Sequence, residues 1–370
     1  MNRETLNVSQ LQPGLFIELP LKWHEHPFLF AKFEIKDAQQ VAIIRQLGLK
    51  TVYYYPERST TLPLPEEADA PPAPSENPVE LNEAWKEKQA QAEALEKRRR
   101  EVKKVEKQYN QVIGQVKSLM MRMNSLPAQA ISEAGQVVDR IVEALLSDTE
   151  TVIHLMNAND LDDTVYYHSL NVSVLSLLLA REAGMPEKLY PTLGFAALMH
   201  DIGTIRIPQQ IVRKTAPLTK PEQDYYEQHV RYGVEMVKKF GQGTSQLVWD
   251  VIDQHHEFCD GSGYPNRLKG SEMNELAKIV ALVNFYDKQC NHNDPRQSMT
   301  PHEALSLMFA KLGPKFEKKY LQLFVKLLGI YPPGTVVQLS DERVGMVISL
   351  NREELLKPSI LLYDASIPKE

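Results

Sequence analysis

The sequence predicts a mainly α protein: an all-α helical bundle in its middle, a small α/β unit before it and a small β appendage after it. Three observations predict this. Apolar residues recur at helical spacing from about Ala130 to Leu328, as in Val172, Leu175, Leu178 and Leu179 and again in Leu305, Met308 and Leu312. Residues 7 to 56 alternate short apolar runs with a single helical pattern. After Pro332 the segments TVVQL and GMVISL flank SDERV, and ILLY follows Pro358, which predicts a β-hairpin or a three-stranded appendage. A chain of 370 residues also exceeds one ordinary core, so two or three folded units are expected.

Taken in order, residues 1–58 form the α/β unit. Its strands are predicted over Leu15 to Leu19, Phe28 to Phe33 and Val52 to Tyr55, and its helix around Val41, Ile44 and Leu47. His24 and His26, in WHEHP, have no partner residues nearby in sequence and are expected at the surface. Residues 59–80, rich in Pro, Ala and Glu, bury little and predict an extended linker. Residues 81–125 form a charged helix in which Val102, Val105, Tyr109, Val112, Val116, Leu119 and Met123 follow heptad steps, with Gly114 weakening the run. Such a stripe either lies on its own domain or pairs the 102–123 helix with a second subunit as a homodimer. Residues 126–330 are the helical domain and 331–370 the β appendage.

Bulk properties exclude several classes. Against 48 acidic residues stand 42 basic ones, a net charge of -6, which argues against holding a nucleic-acid polymer through positive charge. Cys259 and Cys290 are the two cysteines, too few for a disulfide framework and in keeping with a reducing compartment. The N-terminal residues lack the apolar core of a signal peptide, and no apolar run approaches the ~20 residues of a membrane span. The expected location is the cytoplasm.

The helical segment carries metal-binding side chains at regular intervals: His168, then His200 with Asp201, then His229, then His255 with His256. Each interval is long enough for the chain to leave on one helix and return on another, so the six side chains can converge. Adjacent residues on a helix point about 100° apart, so the pair His255 and His256 suits two neighbouring ions. Asp201 has two carboxylate oxygens and can bridge both. Imidazoles with few carboxylates favour iron, manganese, nickel or zinc over magnesium and calcium. Directly after the histidine pair, Gly261 and Gly263 free the backbone and Pro265 stiffens the exit, holding Tyr264 on a shaped loop beside the pair.

The segments HSLNVSVLSLLLA, LMHDIGTIRIPQQIV, HVRYGVEMV, HHEFCDGSGYPNRLKG and AKIVALVNFYD, in this order and spacing, resemble the HD-GYP family of cyclic di-GMP phosphodiesterases over about residues 150 to 330. The first 56 residues and PPGTVVQLSDERVGMV also resemble companions that flank such domains. The resemblance implies an HD-type bundle with two divalent metal ions, iron or manganese being favoured. It implies that His168, His200, Asp201 and Asn284 hold one ion and that Asp201, His229, His255 and His256 hold the other. Asp201 and Thr204 take the catalytic positions, and Lys214 and Arg296 are candidate phosphate contacts. Gly263, Tyr264 and Pro265 are expected to shape the cyclic di-GMP pocket or a docking surface for diguanylate-cyclase proteins.

Four positions depart from the family pattern. Asn284 stands in place of an aspartate and offers a carbonyl oxygen without negative charge. Thr204 replaces the lysine that follows HDIG, Asn293 replaces the first arginine of a segment that keeps Arg296, and Thr164 replaces a glutamate that supports a third ion. Losing one donor to developing charge costs roughly 10² to 10³ in rate. The expectation is therefore a metal-dependent phosphodiesterase converting cyclic di-GMP to pGpG or GMP, slowed by these changes; the alternative is a sensor or adaptor that binds without hydrolysing.

Overall fold

The computed structural model describes residues 3–21, 25–28, 30–65, 79–145, 151–153, 156, 164–292, 294–351, 354 and 356–363. The chain divides into two compact units, Met1–Glu101 and Val102–Glu370. In the first, strands β1 (Glu4–Asn7), β2 (Phe16–Glu18), β3 (Lys32–Glu34) and β4 (Thr51–Tyr54) form an antiparallel sheet in the order β1-β4-β2-β3, with helix α1 (Ala38–Gln46) between β3 and β4. The Asp37 side chain accepts a hydrogen bond from the Gln40 amide and so caps α1. Alternation places Leu15, Ile17 and Leu19 inward with Val52 and Tyr54, against Val41 and Ile44 of α1. Strand β1 was missed in the sequence because ETLN contains a single apolar residue, Leu6.

His26 departs from expectation: it is fully buried, with its ring 6.1 Å from that of Phe28. His24 lies outside the described residues, as do residues 66–78 of the expected linker.

Helix α2 (Val79–Arg122) carries the heptad stripe. Val105, Tyr109, Val112, Val116, Leu119 and Met123 are each at most 5% exposed and belong to the core of the second unit. Of the two readings of the stripe, the structure shows the one in which it packs on its own domain, and an apolar row already covered offers little area to a second copy.

That core is built by α3 (Pro127–Arg140), α4 (Thr164–Glu182), α5 (Tyr190–Met199), α8 (His229–Phe240), α9 (Gln246–Gln254), α10 (Glu275–Cys290), α11 (Pro301–Ala310) and α12 (Lys318–Leu328), while the short helices α6 (Gln209–Val212) and α7 (Lys220–Tyr226) lie outside it. Helices α4 and α10 are the innermost. Leu170, Val172, Val174, Leu175, Leu177, Leu178 and Leu179 are buried on all sides of α4, and every residue from Leu276 to Asn284 is buried on α10. Helices apolar around their circumference have no face to give to solvent, so both run through the centre and carry their few polar residues with them. Strands β5 (Val336–Gln338), β6 (Val344–Ser349) and β7 (Ser359–Leu362) then form an antiparallel sheet, the three-stranded alternative of the expectation. Among the described residues, no helix is long and apolar enough to cross a membrane.

Candidate metal centre

Six residues separated by up to 88 positions meet at the centre of the second unit. His168 projects from α4, His229 opens α8, and His200 and His255 stand at the C-terminal ends of α5 and α9, each followed by its partner, Asp201 or His256. The pair His255 and His256 thus lies just past a helix rather than within one, with ring centroids 4.3 Å apart.

The last-turn carbonyls of a helix have no amide donor within the helix. Three histidines use them. Nδ1 of His200 donates to the Ala197 carbonyl at 2.6 Å, Nδ1 of His255 to Ile252 at 2.7 Å, and Nδ1 of His229 to Tyr226 at 2.7 Å. A carbonyl can only accept, so each Nδ1 carries the proton and each Nε2 keeps its lone pair. His168 Nδ1 is held likewise by Asp287 Oδ2 at 2.7 Å, while the other Asp287 oxygen accepts from Asn171 at 2.9 Å. His168 and Asn171 share a face of α4 by their spacing of three, so one carboxylate grips both.

The freed Nε2 atoms converge on Asp201. Oδ1 lies 3.2 Å from His229 Nε2 and 3.3 Å from His255 Nε2; Oδ2 lies 3.4 Å from His200 Nε2 and 3.5 Å from His168 Nε2. The nitrogens also face one another, at 3.1 Å between His168 and His200 and 3.3 Å between His229 and His255. Asp201 Oδ1 and Asn284 Oδ1 are buried without a hydrogen-bond partner. The Asn284 amide nitrogen points to the His255 carbonyl at 3.4 Å, which identifies its oxygen as the free atom. Lone pairs held this close repel unless a cation lies among them, so the donor set fits metal. It divides into two groups that share Asp201: His168, His200 and Asp201, and Asp201, His229, His255 and His256.

Electrostatics keep the donors ready. Burial drives His255 down to about 3 and also lowers His200 and His256, so all three are neutral near pH 7. Burial presses on His168 in the same direction, but the Asp201 and Asp287 carboxylates facing it outweigh it and raise its pKa. Asp201 resists burial because Lys288, His200 and His168 face it, and it stays ionised far below the usual carboxylate range.

Close backbone approach brings the parts together. A Cβ on Gly203 would stand 1.9 Å from the His229 carbonyl oxygen, so only glycine lets the turn after Asp201 lie against α8. A Cβ on Gly263 would meet the His256 carbonyl at 2.5 Å, and the Tyr264 amide donates to that same oxygen at 3.2 Å. Tyr264 consequently stacks on His256, ring centroids 4.5 Å apart and planes 18° from parallel. Fully buried Glu257 pins the far side of the loop, accepting from the amides of Asn266 at 2.6 Å and Leu268 at 3.0 Å. Pro265 follows Tyr264 within it.

The remaining expected residues are placed otherwise. The Thr204 hydroxyl donates to the Asp201 carbonyl at 2.7 Å, which holds the turn. Lys214 Nζ lies 2.5 Å from Glu222, and Arg296 is bound by both oxygens of Asp294 at 3.0 and 2.9 Å, so both cations are engaged by carboxylates. Asn293 lies outside the described residues, as does the side chain of Thr164. Sequence reasoning missed Asp287, Asn171, Glu257 and, above all, Lys288, whose Nζ is 3.2 Å from Asp201 Oδ2 and 3.4 Å from His256 Nε2. A spacing of four from Asn284 puts Lys288 on the same face of α10, a signal present in the sequence.

Comparison with known proteins agrees with this architecture. Residues 4–134 match a domain of unknown function, DUF3391, and residues 140–319 match the family described as HD domain. The chain is 30% identical over 358 residues to cyclic di-GMP phosphodiesterase PA4108 of Pseudomonas aeruginosa, covering 96% of this chain and 84% of that protein. It is 27% identical over 190 residues to 3'3'-cGAMP-specific phosphodiesterase 2 of Vibrio cholerae, covering 51% of this chain and 36% of that one. Among solved structures, Bd1817, an HD-GYP-type protein from Bdellovibrio bacteriovorus, superimposes with a TM-score of 0.52 at 17% identity, over 88% of this chain and 99% of that one. The chain belongs to the HD-GYP family of HD-domain proteins, whose phosphohydrolases depend on metal.

Proposed function

We propose that this protein is a metal-dependent phosphodiesterase that opens cyclic di-GMP to pGpG or GMP. One observation carries the reading: four imidazole Nε2 lone pairs and both oxygens of Asp201 converge, with every one of those histidines tied at Nδ1 to an acceptor. Two ions, iron or manganese, would be held by His168, His200, Asp201 and the Asn284 oxygen, and by Asp201, His229, His255 and His256. Such a pair lowers the pKa of water and neutralises charge on a phosphodiester. Asp201 bridges the two groups, and Asp287 and the helix-end carbonyls keep the imidazoles aimed inward. Thr204 acts on Asp201 through the backbone. Tyr264, stacked on His256, offers an aromatic face at the site for a purine base, on the loop that Gly263 and Pro265 shape. Ser262, Asn266 and Arg267 on its exposed flank offer a docking surface for diguanylate-cyclase proteins. Two free cysteines and a cyclic dinucleotide substrate support a cytoplasmic location.

A sensor that binds without hydrolysing is favoured by one observation, that Lys214 and Arg296 are both occupied by carboxylates and not offered to phosphate. The test loads the purified chain with Fe(II) or Mn(II) without oxygen and follows cyclic di-GMP and 3'3'-cGAMP by chromatography, with calorimetry for binding. Loss of cyclic di-GMP that disappears in Asp201→Ala supports the enzyme. Binding without turnover establishes the sensor, and preference for 3'3'-cGAMP overturns the substrate assignment.

A further inference from the structure

Lys288 is the one lysine or arginine that forms an ion pair with the cluster among the described residues, and its position is specific. Its ammonium lies 3.2 Å from Asp201 Oδ2, the oxygen that also faces His168 and His200, and 3.4 Å from His256 Nε2, a donor of the other group alone. It therefore stands between the two groups of metal donors and touches both. An ammonium can only donate, so while it is there it consumes the His256 lone pair and one oxygen of the bridging carboxylate. The side chain is 32% exposed whereas His200, His229 and His255 are closed to solvent, so the lysine reaches in from the open side. Tyr226 of α7 faces the ammonium, whose charge offsets part of the rise that burial imposes on its hydroxyl.

Charge makes the position consequential. Asp201 is the single carboxylate in either donor group, because Asn284 is neutral and Asp287 is turned to His168 and Asn171. One divalent ion with the ammonium leaves the cluster moderately positive; two ions with the ammonium beside them set five positive charges against Asp201 and the Asp287 carboxylate behind His168. Repulsion therefore sets a second ion against the Lys288 ammonium.

We propose that Lys288 is a built-in cation that competes with one of the two metal ions, so that the protein holds one ion tightly and admits the second only when the lysine swings out toward solvent. The inference rests on the metal-site reading above and adds a limit on how far the site fills. Four rotatable bonds let the ammonium leave without moving α10.

The test measures manganese binding to the full chain by calorimetry and by elemental analysis after gel filtration, for the wild type and for Lys288→Met. The wild type is expected to retain one ion and to bind a second at least tenfold more weakly; Lys288→Met is expected to retain two. Stability gives a second readout that activity does not enter. With chelator present, Lys288→Met should melt below the wild type, since Asp201 loses its counter-charge; with saturating manganese the order should reverse. Lys288→Gln, which keeps polarity and drops the charge, repeats both measurements if the methionine variant does not fold. Two ions of equal affinity in the wild type, or an unchanged second affinity in both variants, overturns the lysine's role while leaving the metal site intact. No ion bound by any of the three proteins overturns the metal-site reading itself.

Discussion

Replacing Gly203 with alanine adds one methyl carbon and tests whether the approach of the turn after Asp201 to α8 builds the site. The added Cβ would stand 1.9 Å from the His229 carbonyl oxygen and 2.5 Å from the Gly233 amide nitrogen. A carbon and a carbonyl oxygen approach to ~3.3 Å at closest. The turn and the helix must therefore part by about 1.4 Å, and both contacts are with backbone, so no side chain can rotate aside. Asp201 and His229 sit on the two sides of that gap, with Oδ1 3.2 Å from Nε2. Forced overpacking costs typically 1–3 kcal/mol, and backbone contacts place this change at ~3 kcal/mol. That corresponds to a fall in Tm of about 6–12 °C. Misplacing a donor by ~1 Å lowers turnover on the order of 10²-fold. Gly114→Ala is the control: it lies exposed within α2 with nothing within 4 Å of its added carbon and should stabilise by about 0.5–1 kcal/mol. Differential scanning calorimetry and manganese titration read both effects. If Gly203→Ala keeps the wild-type Tm and manganese affinity, the claim that backbone approach assembles the site is wrong.

Three further outcomes are expected. Metal-free protein should lose stability as pH falls from 6.5 toward 3: His200, His255 and His256 have depressed pKa values, so the unfolded chain takes up protons in that window before the native one, and the raised groups His168, Asp253 and Glu257 offset only part of the loss. Urea midpoints that stay flat across the window would contradict this. Glu257→Ala should leave the amides of Asn266 and Leu268 unpaired, at about 1–3 kcal/mol each, and speed their hydrogen exchange, with Glu257→Gln milder because it keeps one acceptor; unchanged exchange would refute the clamp. Leu119→Ala, at a position 1% exposed, should cost ~2–5 kcal/mol without altering the mass in sedimentation, whereas a change in mass would restore the stripe as a subunit interface.

Much of this protein is determined by local pattern. Helical spacing through Val172, Leu175 and Leu179 predicts a helix, and the alternation in TVVQL and GMVISL predicts strands, because burial on one face imposes a period that needs no distant partner to be visible. His168, His200, Asp201, His229, His255 and His256 are identifiable by type alone, since few side chains bind metal and these recur at intervals that allow helices to return. The destination of the 102–123 stripe was undetermined, because a heptad row has the same spacing whether it meets its own domain or another copy; packing against the core of the second unit decides it. Which imidazole nitrogen faces inward was likewise undecidable, since it depends on carbonyls left unpaired at three helix ends and on Asp287 of α10, 119 residues from His168. Lys288 shows the difference most directly. Its sequence places it on the Asn284 face of a helix, and only the meeting of α10 with the turn at Asp201 turns that lysine into a cation among metal donors, because charge acts over a few ångströms of space and not along the chain.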